Sequence, residues 1–572
     1  MAHEVQPPQL DALPFSLGEN SAVENRGSVL PCDRGAGPDG LEQPRYFSQF
    51  SDFCSDCPLQ RELSILRCDK AFWKSMHQKA LEREAILKTK VDELEAKLRL
   101  REKQLFGRKT EKGKKNNPSC GSGPNENKRP RGQQPGSKGH GRRDYSHLPA
   151  KEEIHEIPDD ECCCPKCGLQ YEPFPGTDDS ELIEIEVKAH RRVIRRKRYK
   201  RTCKCENLPA IVTAPAPPKL IPKGRLGISV WVTILLDKFL LMNPTYRLLT
   251  GLKTHQLDIA QGTVTDGLKC IAPVFTPIYE AIIEKNLQEN RWHADETRWL
   301  VFASVEGKIG YKWYMWVFSS PSAVVYKLDK SRCAQVPIDH FGPVEEGILS
   351  VDRYSSYKAM AKVLNIILAF CWAHVRRDFL NVAGAWPKLE AWGLEWVEQI
   401  KTLYHLNDLR LKALDQPHAF REKNRNLNDA LEQMAQKRDT ELNQTDLHPA
   451  CKKVLNSLKN HWEGLIVFFH HPEVPMDNNK AERLERVPAL GRKDFYGSGA
   501  LWSGYLCAVM MSILQTLAFW KINPRAWMTA YLEACAANGG KAPQDVQAFL
   551  PWNMSETQRK VFALEPHFKD SS

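Results

Sequence analysis

The chain has 572 residues, 42% apolar and 26% charged, with a formal net charge of +11. That length exceeds one ordinary hydrophobic core and predicts several folded units of roughly 150 residues each, and the composition excludes a wholly disordered chain. The charge excess is concentrated in one run, Arg191, Arg192, Arg195, Arg196, Lys197, Arg198, Lys200 and Arg201, so a polyanionic partner is expected, nucleic acid ahead of membrane.

Seventeen Cys would suggest disulfides in a small secreted chain. Here neither a basic n-region nor an apolar h-region stands at the start, which predicts a cytoplasmic protein with reduced thiols and metal sites. The longest uncharged apolar run, "YLCAVMMSILQTLAFW" at 505–520, falls short of the roughly 20 residues a bilayer needs. It also carries Ser512, Gln515 and Thr516, so a buried helix is expected and no membrane span.

In chain order, 1–45 is rich in Pro, Gly and acidic residues without periodicity and reads as disordered. Within 46–106 a heptad seam runs from Leu59 through Leu63 and Leu66, lapses at Lys70, His77 and Glu84, and resumes at Leu87, Val91, Leu94 and Leu98. It predicts a long helix, either a dimerising coiled coil or an amphipathic helix packed within the protein. Cys54 and Cys57, with Cys68 and His77 downstream, offer metal-ligand types, but the last two would face different sides of that helix, so surface groups are expected ahead of a metal site. The segment 107–146 mixes Gly, Pro, Asn and Gln with many Lys and Arg, a basic linker able to neutralise phosphates.

A zinc ribbon is expected over 147–210. Cys164 and Cys167, then Cys203 and Cys205, stand at paired-Cys turns bracketing "ELIEIEVKAH" and "RRVIRRKRYKR", and four thiolates can hold one tetrahedral Zn²⁺. Cys162 and Cys163 blur the ligand set. Arg196, Arg198 and Arg201 on the basic strand are candidate DNA contacts. Three helices follow within 211–285, "SVWVTILLDKFLL", "PTYRLLTGL" and "DIAQGTVTDGLKCI", consistent with a helix-turn-helix or a plain bundle.

From Asn290 the period changes to that of strands. "RWHADETRWLVFAS", "YKWYMWVFSS" and "AVVYKL" predict three antiparallel strands. A helix at 331–341, the strand "GILSVDRY", a helix at 354–363, the strand "IILAFCWAH" and the helix "VRRDFL" come next. This order is that of a ribonuclease-H-like core, with a Gly- and Pro-poor stretch of helical patterning from Glu390 to Asn460 and a tail at 531–572 after it. The fold class expected is thus multidomain α+β.

Asp295 falls in mid-strand among apolar residues, where an unpaired carboxylate is costly. Asp352 ends the fourth strand, beside the first in this arrangement. Two carboxylates brought together repel, and a hard divalent cation is the simplest compensation; a salt bridge is the alternative for either one alone. In "MDNNKAERLERVPALGRKDF", Asp477 reads as an N-cap and Glu482 and Arg486 lie one turn apart. Taken alone this is a surface Glu–Arg ladder; after the two Asp, Glu482 supplies a third ligand, with Arg483, Arg486, Arg492 and Lys493 able to hold DNA phosphates. Cys371 and His374 of "CWAH" read as positioning groups beside the metal or the DNA, or as a packed strand end.

"HADETRW", "VDRYSSY", "CWAHVRRDF" and "DNNKAERLERVPALGRKDF", preceded by "KRPRGQQPGSKGHGRR" and the Cys pairs, resemble the transposases of the IS66 family of bacterial insertion sequences over about residues 50–550. The resemblance implies a DDE transposase with Asp295, Asp352 and Glu482 as its acidic triad and Mg²⁺ or Mn²⁺ as cofactor. It further implies an α-helical insertion at 381–470 that splits the core into 286–380 and 471–530, terminal inverted repeats and target DNA as partners, a homo-oligomer, element-encoded accessory proteins and a nucleoid location. Asp494 where the family commonly has Asn, and Arg353 after Asp352 where Gly is usual, depart from the pattern without removing a presumed ligand. An inactive DNA-binding regulator and a ribonuclease-H-like nuclease acting on RNA–DNA hybrids are the alternatives.

Overall fold

Strand-forming and helix-forming stretches alternate along most of the chain, and the computed structural model describes residues 58–106, 211–306 and 308–563, with scattered positions between 151 and 202. The expected disordered start, the basic linker and most of the zinc ribbon lie outside the described residues. Two units divide after Val91. In the first, the helix α1 (Pro58–Phe106) exposes its seam, Leu63 by 52% and Leu87 by 61%. In the second, the rest of α1 buries Ala96, and Arg99 Nε donates to the carbonyl of Ala385 at 3.0 Å.

A small antiparallel pair, β1 (Arg198–Lys200) and β2 (Ile211–Thr213), is all the sheet described before residue 290. The helices expected over 211–285 form as α2 (Ile228–Phe239), α3 (Thr245–Thr254), α4 (Gln261–Ile271) and α5 (Thr276–Leu287). Pro244, which fixes φ and lacks an N–H, caps α3. Their apolar stripes, with Trp231, Leu235, Val264 and Ile278, join one core with the sheet.

That sheet is mixed and six-stranded: β3 (Arg291–Val301), β4 (Lys312–Ser319), β5 (Val324–Asp329), β6 (Gly347–Val351), β7 (Ile366–Phe370) and the short β8 (Gly497–Ser498). Its order is β5-β4-β3-β6-β7, with β4 and β5 antiparallel and β6 and β7 parallel to β3, and β8 pairing beside the end of β3. The helices α6 (Gln335–Phe341) and α7 (Ser355–Met360) connect β5 to β6 and β6 to β7, each shorter than expected.

After β7 come α8 (Trp372–Ala385), α9 (Glu390–Leu411), α10 (Pro417–Leu442), α11 (Pro449–Asn460), α12 (Trp462–Leu465) and α13 (Val467–His470). They enclose a second core of Trp372, Phe379, Trp396, Ile400, Leu431 and Leu455. Buried Arg410 ties this insertion together, donating to the carbonyls of Phe468 at 2.8 Å and Phe469 at 3.0 Å.

The chain returns to the sheet through α14 (Asn479–Leu484) and α15 (Arg486–Phe495), then α16 (Leu501–Phe519), α17 (Pro524–Ala537) and α18 (Glu556–Val561). By length and composition α16 could span a membrane, but most of it is buried. The polar residues that interrupt it have a structural use: Ser512 Oγ accepts from the N–H of Tyr326 at 2.7 Å and Thr516 Oγ1 from that of Val324 at 3.1 Å. These hydroxyls satisfy the free edge of β5, which would otherwise be open to pairing. Trp527 and Tyr531 of α17 are buried against the main core, so folded structure crosses the boundary expected at residue 530.

Candidate active site

The site grows from β3, the middle strand of the sheet. Period-two alternation puts His293, Asp295, Thr297 and Trp299 on one face and Trp292, Ala294 and Glu296 on the other. In the parallel pairing with β6, His293 is opposite Ser350, so two residues further on Asp295 is level with Asp352, immediately after β6 ends at Val351. Asp352 Oδ1 accepts from the N–H of Tyr354 at 2.9 Å, a turn that launches α7. The helix α14 packs on β3 and β4 and carries Glu482 to the same place.

Electrostatics register this convergence. Burial, then the charges of Glu296, Asp352 and Glu482, push Asp295 up to about 7. Glu482 Oε1 is buried without a hydrogen-bond partner and lies 3.7 Å from His374 Nε2. Burial, then Arg377, holds His374 below its ordinary value, so it is neutral at pH 7 and does not cancel the charge of Glu482. Asp352 and Glu482 are thus near enough to Asp295 for their charges to help raise its carboxyl, while Arg332 lies within reach of the charges of Glu296 and Asp352.

Glu296, beside Asp295 in sequence, is spent elsewhere. Its side chain is fully buried on the opposite face, where Arg332 donates through Nε at 2.7 Å and Tyr357 Oη donates at 2.5 Å. Glu485 is buried with neither oxygen hydrogen-bonded. Burial and the nearby charges of Asp295 and Glu296 push it well above the ordinary carboxylate value.

Sequence reasoning did not single out Asn478 as a site residue, yet it stitches the site together. Its Nδ2 donates to the carbonyl of Ala294 at 2.8 Å, which leaves Oδ1 to accept from His293 Nδ1 at 3.0 Å. Its backbone N–H donates to Cys371 Sγ at 3.2 Å. The signal available was its place in "DNN", directly before the helix that bears Glu482.

Several expectations need correction. The strand expected over "IILAFCWAH" ends at Phe370, and α8 begins at Trp372, so Cys371 is the N-cap of a helix and His374 stands in its first turn. Cys is not among the usual N-cap residues, which hid the boundary. Cys371 and His374 also have a companion: their ligand atoms and a carboxylate oxygen of Glu482 lie within 4.8 Å of one another. The helix expected after Asp477 is two helices with a turn at Glu485, and its N-cap is Asn478, while Asp477 Oδ1 accepts from the N–H of Asn479 at 3.1 Å. Pro488 has no N–H for the carbonyl of Leu484, which instead accepts from Tyr326 Oη at 2.7 Å.

Of the cations expected to hold DNA, Arg483, Arg486 and Lys493 are exposed. Arg483 lines a cavity of about 560 Å³ with His293, Asp477, Lys480 and Phe519. Arg492 is tied inward, donating to Thr297 Oγ1 at 2.9 Å and the carbonyl of Arg298 at 2.7 Å. Arg196 Nε donates to the carbonyl of Ala214 at 2.5 Å, and Arg198 pairs with Thr213 across β1 and β2. Cys164, Cys203, Cys205 and Arg201 lie outside the described residues; Cys167 is exposed. The departing residues are engaged: Arg353 with Asp378 at 2.5 Å and Ser457 at 2.9 Å, Asp494 with Arg247 at 3.5 Å.

Fold and site together define a mixed α+β protein with a cluster of acidic residues about Asp295, drawn from the central sheet, from the turn after β6 and from α14. Residues 223–505, which contain the whole cluster, match the transposase IS66 family, and through this segment the chain is a member of that family. It is also similar to two uncharacterized proteins of Sinorhizobium fredii. One, y4hP, is 27% identical over 437 residues, covering 72% of this chain and 77% of that protein. The other, y4jD, is 27% identical over 429 residues, covering 72% and 81%.

Proposed function

We propose that the protein is a DDE transposase that cleaves the ends of an insertion sequence and transfers the freed 3′-OH ends to target DNA. The observation that supports the reading most is the influence of Asp352 and Glu482, carried by two other elements, on the buried carboxyl of Asp295. The order of the sheet, two antiparallel strands on one side of β3 and two parallel ones on the other, supports a ribonuclease-H-like core, and family membership supports a transposase role.

Asp295, Asp352 and Glu482 suit Mg²⁺ or Mn²⁺, since their donors are hard carboxylate oxygens and one of them, Glu482 Oε1, is buried without a partner. Bound there, such ions would stabilise the attacking and leaving oxygens of an in-line displacement at phosphorus. The chain supplies the rest. Neutral His374 leaves the charge of Glu482 available, and Asn478 fixes the start of α14 against β3. Glu296, held by Arg332 and Tyr357, keeps the strand's second carboxylate out of the reaction. Exposed Arg483, Arg486 and Lys493 would hold phosphates without reading sequence. Recognition of the element's ends then falls to the ribbon, with Zn²⁺ on Cys164, Cys167, Cys203 and Cys205, to the basic linker and to α2–α4.

The test is incubation of the purified protein with DNA carrying the inverted repeats that flank its gene, in Mg²⁺ or EDTA, beside Glu482→Gln. Cleavage at the element's end followed by joining, lost in EDTA and in the variant, is expected. Cleavage that survives Glu482→Gln would overturn the triad, and DNA binding with no cleavage by the wild type in Mg²⁺ would overturn the enzymatic reading in favour of a regulator.

A further inference from the structure

We propose that Cys371, His374 and Glu482 form a second cation site, for a thiophilic transition metal such as Zn²⁺, which takes Glu482 away from the hard-cation triad. The ligand atoms of these three residues lie within 4.8 Å of one another. A tetrahedral zinc with bonds of about 2.0–2.3 Å spaces its ligand atoms by roughly 3.3–3.7 Å. The 3.7 Å between His374 Nε2 and Glu482 Oε1 is close to that spacing, and a bound cation would draw the three ligand atoms together.

Glu482 Oε1 is buried without a hydrogen-bond partner, an arrangement native proteins seldom leave unexplained, and Cys371 Sγ accepts from the backbone N–H of Asn478. Cys371 is the N-cap of the fourteen-residue α8, and the N–H groups of Ala373, His374 and Asn478 are directed at its sulfur. Burial raises the thiol above its ordinary value while these N–H groups act against that rise, and a thiophilic cation would displace the proton. The thiol is buried, but the side chains of His374 and Glu482 are 25% and 31% exposed, so a cation enters from their side and leaves one position open to water, as in three-ligand zinc sites. Soft sulfur and imidazole discriminate against Mg²⁺ and Ca²⁺. Only the effect on DNA cleavage rests on the transposase reading; the site itself does not.

The experiment is a Co²⁺ titration of the full chain, wild type against Cys371→Ser and His374→Gln, followed by absorption and checked by metal analysis after gel filtration. The ribbon cysteines are common to all three proteins and cancel in the differences. Wild type is expected to bind one more equivalent than either variant, and the Cys371→Ser difference spectrum to contain a thiolate-to-cobalt band. Equal stoichiometry and superimposable spectra in folded proteins, judged by circular dichroism, would overturn the site. In the cleavage assay with excess Mg²⁺, added Zn²⁺ is expected to abolish wild-type cleavage but leave each variant at its own Mg²⁺ rate. Equal zinc sensitivity in all three would overturn the sharing of Glu482. A cobalt difference alongside no cleavage in Mg²⁺ would uphold the metal site while the transposase reading failed.

Discussion

Replacing Asp295 with Asn should make the metal-free protein more stable while abolishing DNA cleavage. In the folded chain this carboxyl is pushed up from an ordinary 3.8 to about 7 by burial and three neighbouring acids. A folded-state pKa above the unfolded one means that the native state holds the proton more tightly. The associated stability is complete below about pH 4, declines as pH rises from there to about 7, and is lost above it; the interval corresponds to about 4 kcal/mol. Asn carries no charge and suffers no such loss. In EDTA, the stability of Asp295→Asn relative to wild type should therefore grow from near zero at pH 4 to about 4 kcal/mol at pH 8. Millimolar Mg²⁺, binding only the wild-type triad, should narrow the gap. The assay is urea unfolding followed by tryptophan fluorescence across pH 4–8. A variant less stable than wild type at pH 8, or a gap that does not change with pH, would refute the argument that burial and neighbouring acids raise this carboxyl.

Three further outcomes follow from individual side chains. Tyr357→Phe deletes a hydrogen bond to the buried carboxylate of Glu296 and should cost about 1.5–3 kcal/mol in the same unfolding assay. Gly497→Ala places a methyl group 2.1 Å from the carbonyl oxygen of Leu300; backbone cannot yield there as a flexible side chain would, so the cost should be about 2 kcal/mol or more, read as a lowered Tm. Replacing exposed Arg483, Arg486 and Lys493 by Ala should weaken DNA binding uniformly across sequences and flatten the salt dependence of log Kd by about 0.9 for each phosphate no longer neutralised, measured by fluorescence anisotropy.

What could be read from the sequence was local and periodic. The strand period beginning at "RWHAD" placed Asp295 in mid-strand, and the helices of 211–285 and of the insertion announced themselves through helical patterning. What could not be read depends on partners distant in the chain. Nothing near Glu296 says that Arg332 and Tyr357 will neutralise it, so it gave no sign that one of two adjacent acids is structural. Cys371 and Glu482 share a pocket only because the insertion folds back on itself. The break at Glu485 was legible in principle, since Pro488 deprives Leu484 of its helical partner, but the tyrosine that compensates lies on β5.

The helical insertion also has a bearing on when the protein becomes complete. All five long strands precede it and Glu482 follows it, about 130 residues after Asp352. A ribosome adding about 5–20 residues per second needs on the order of ten seconds to cross that stretch. Throughout that interval the emerging chain holds two of its three acids. A truncated product ending inside the insertion has the five long strands but lacks the third acid, so on the transposase reading translation itself acts as a safety catch against partial copies.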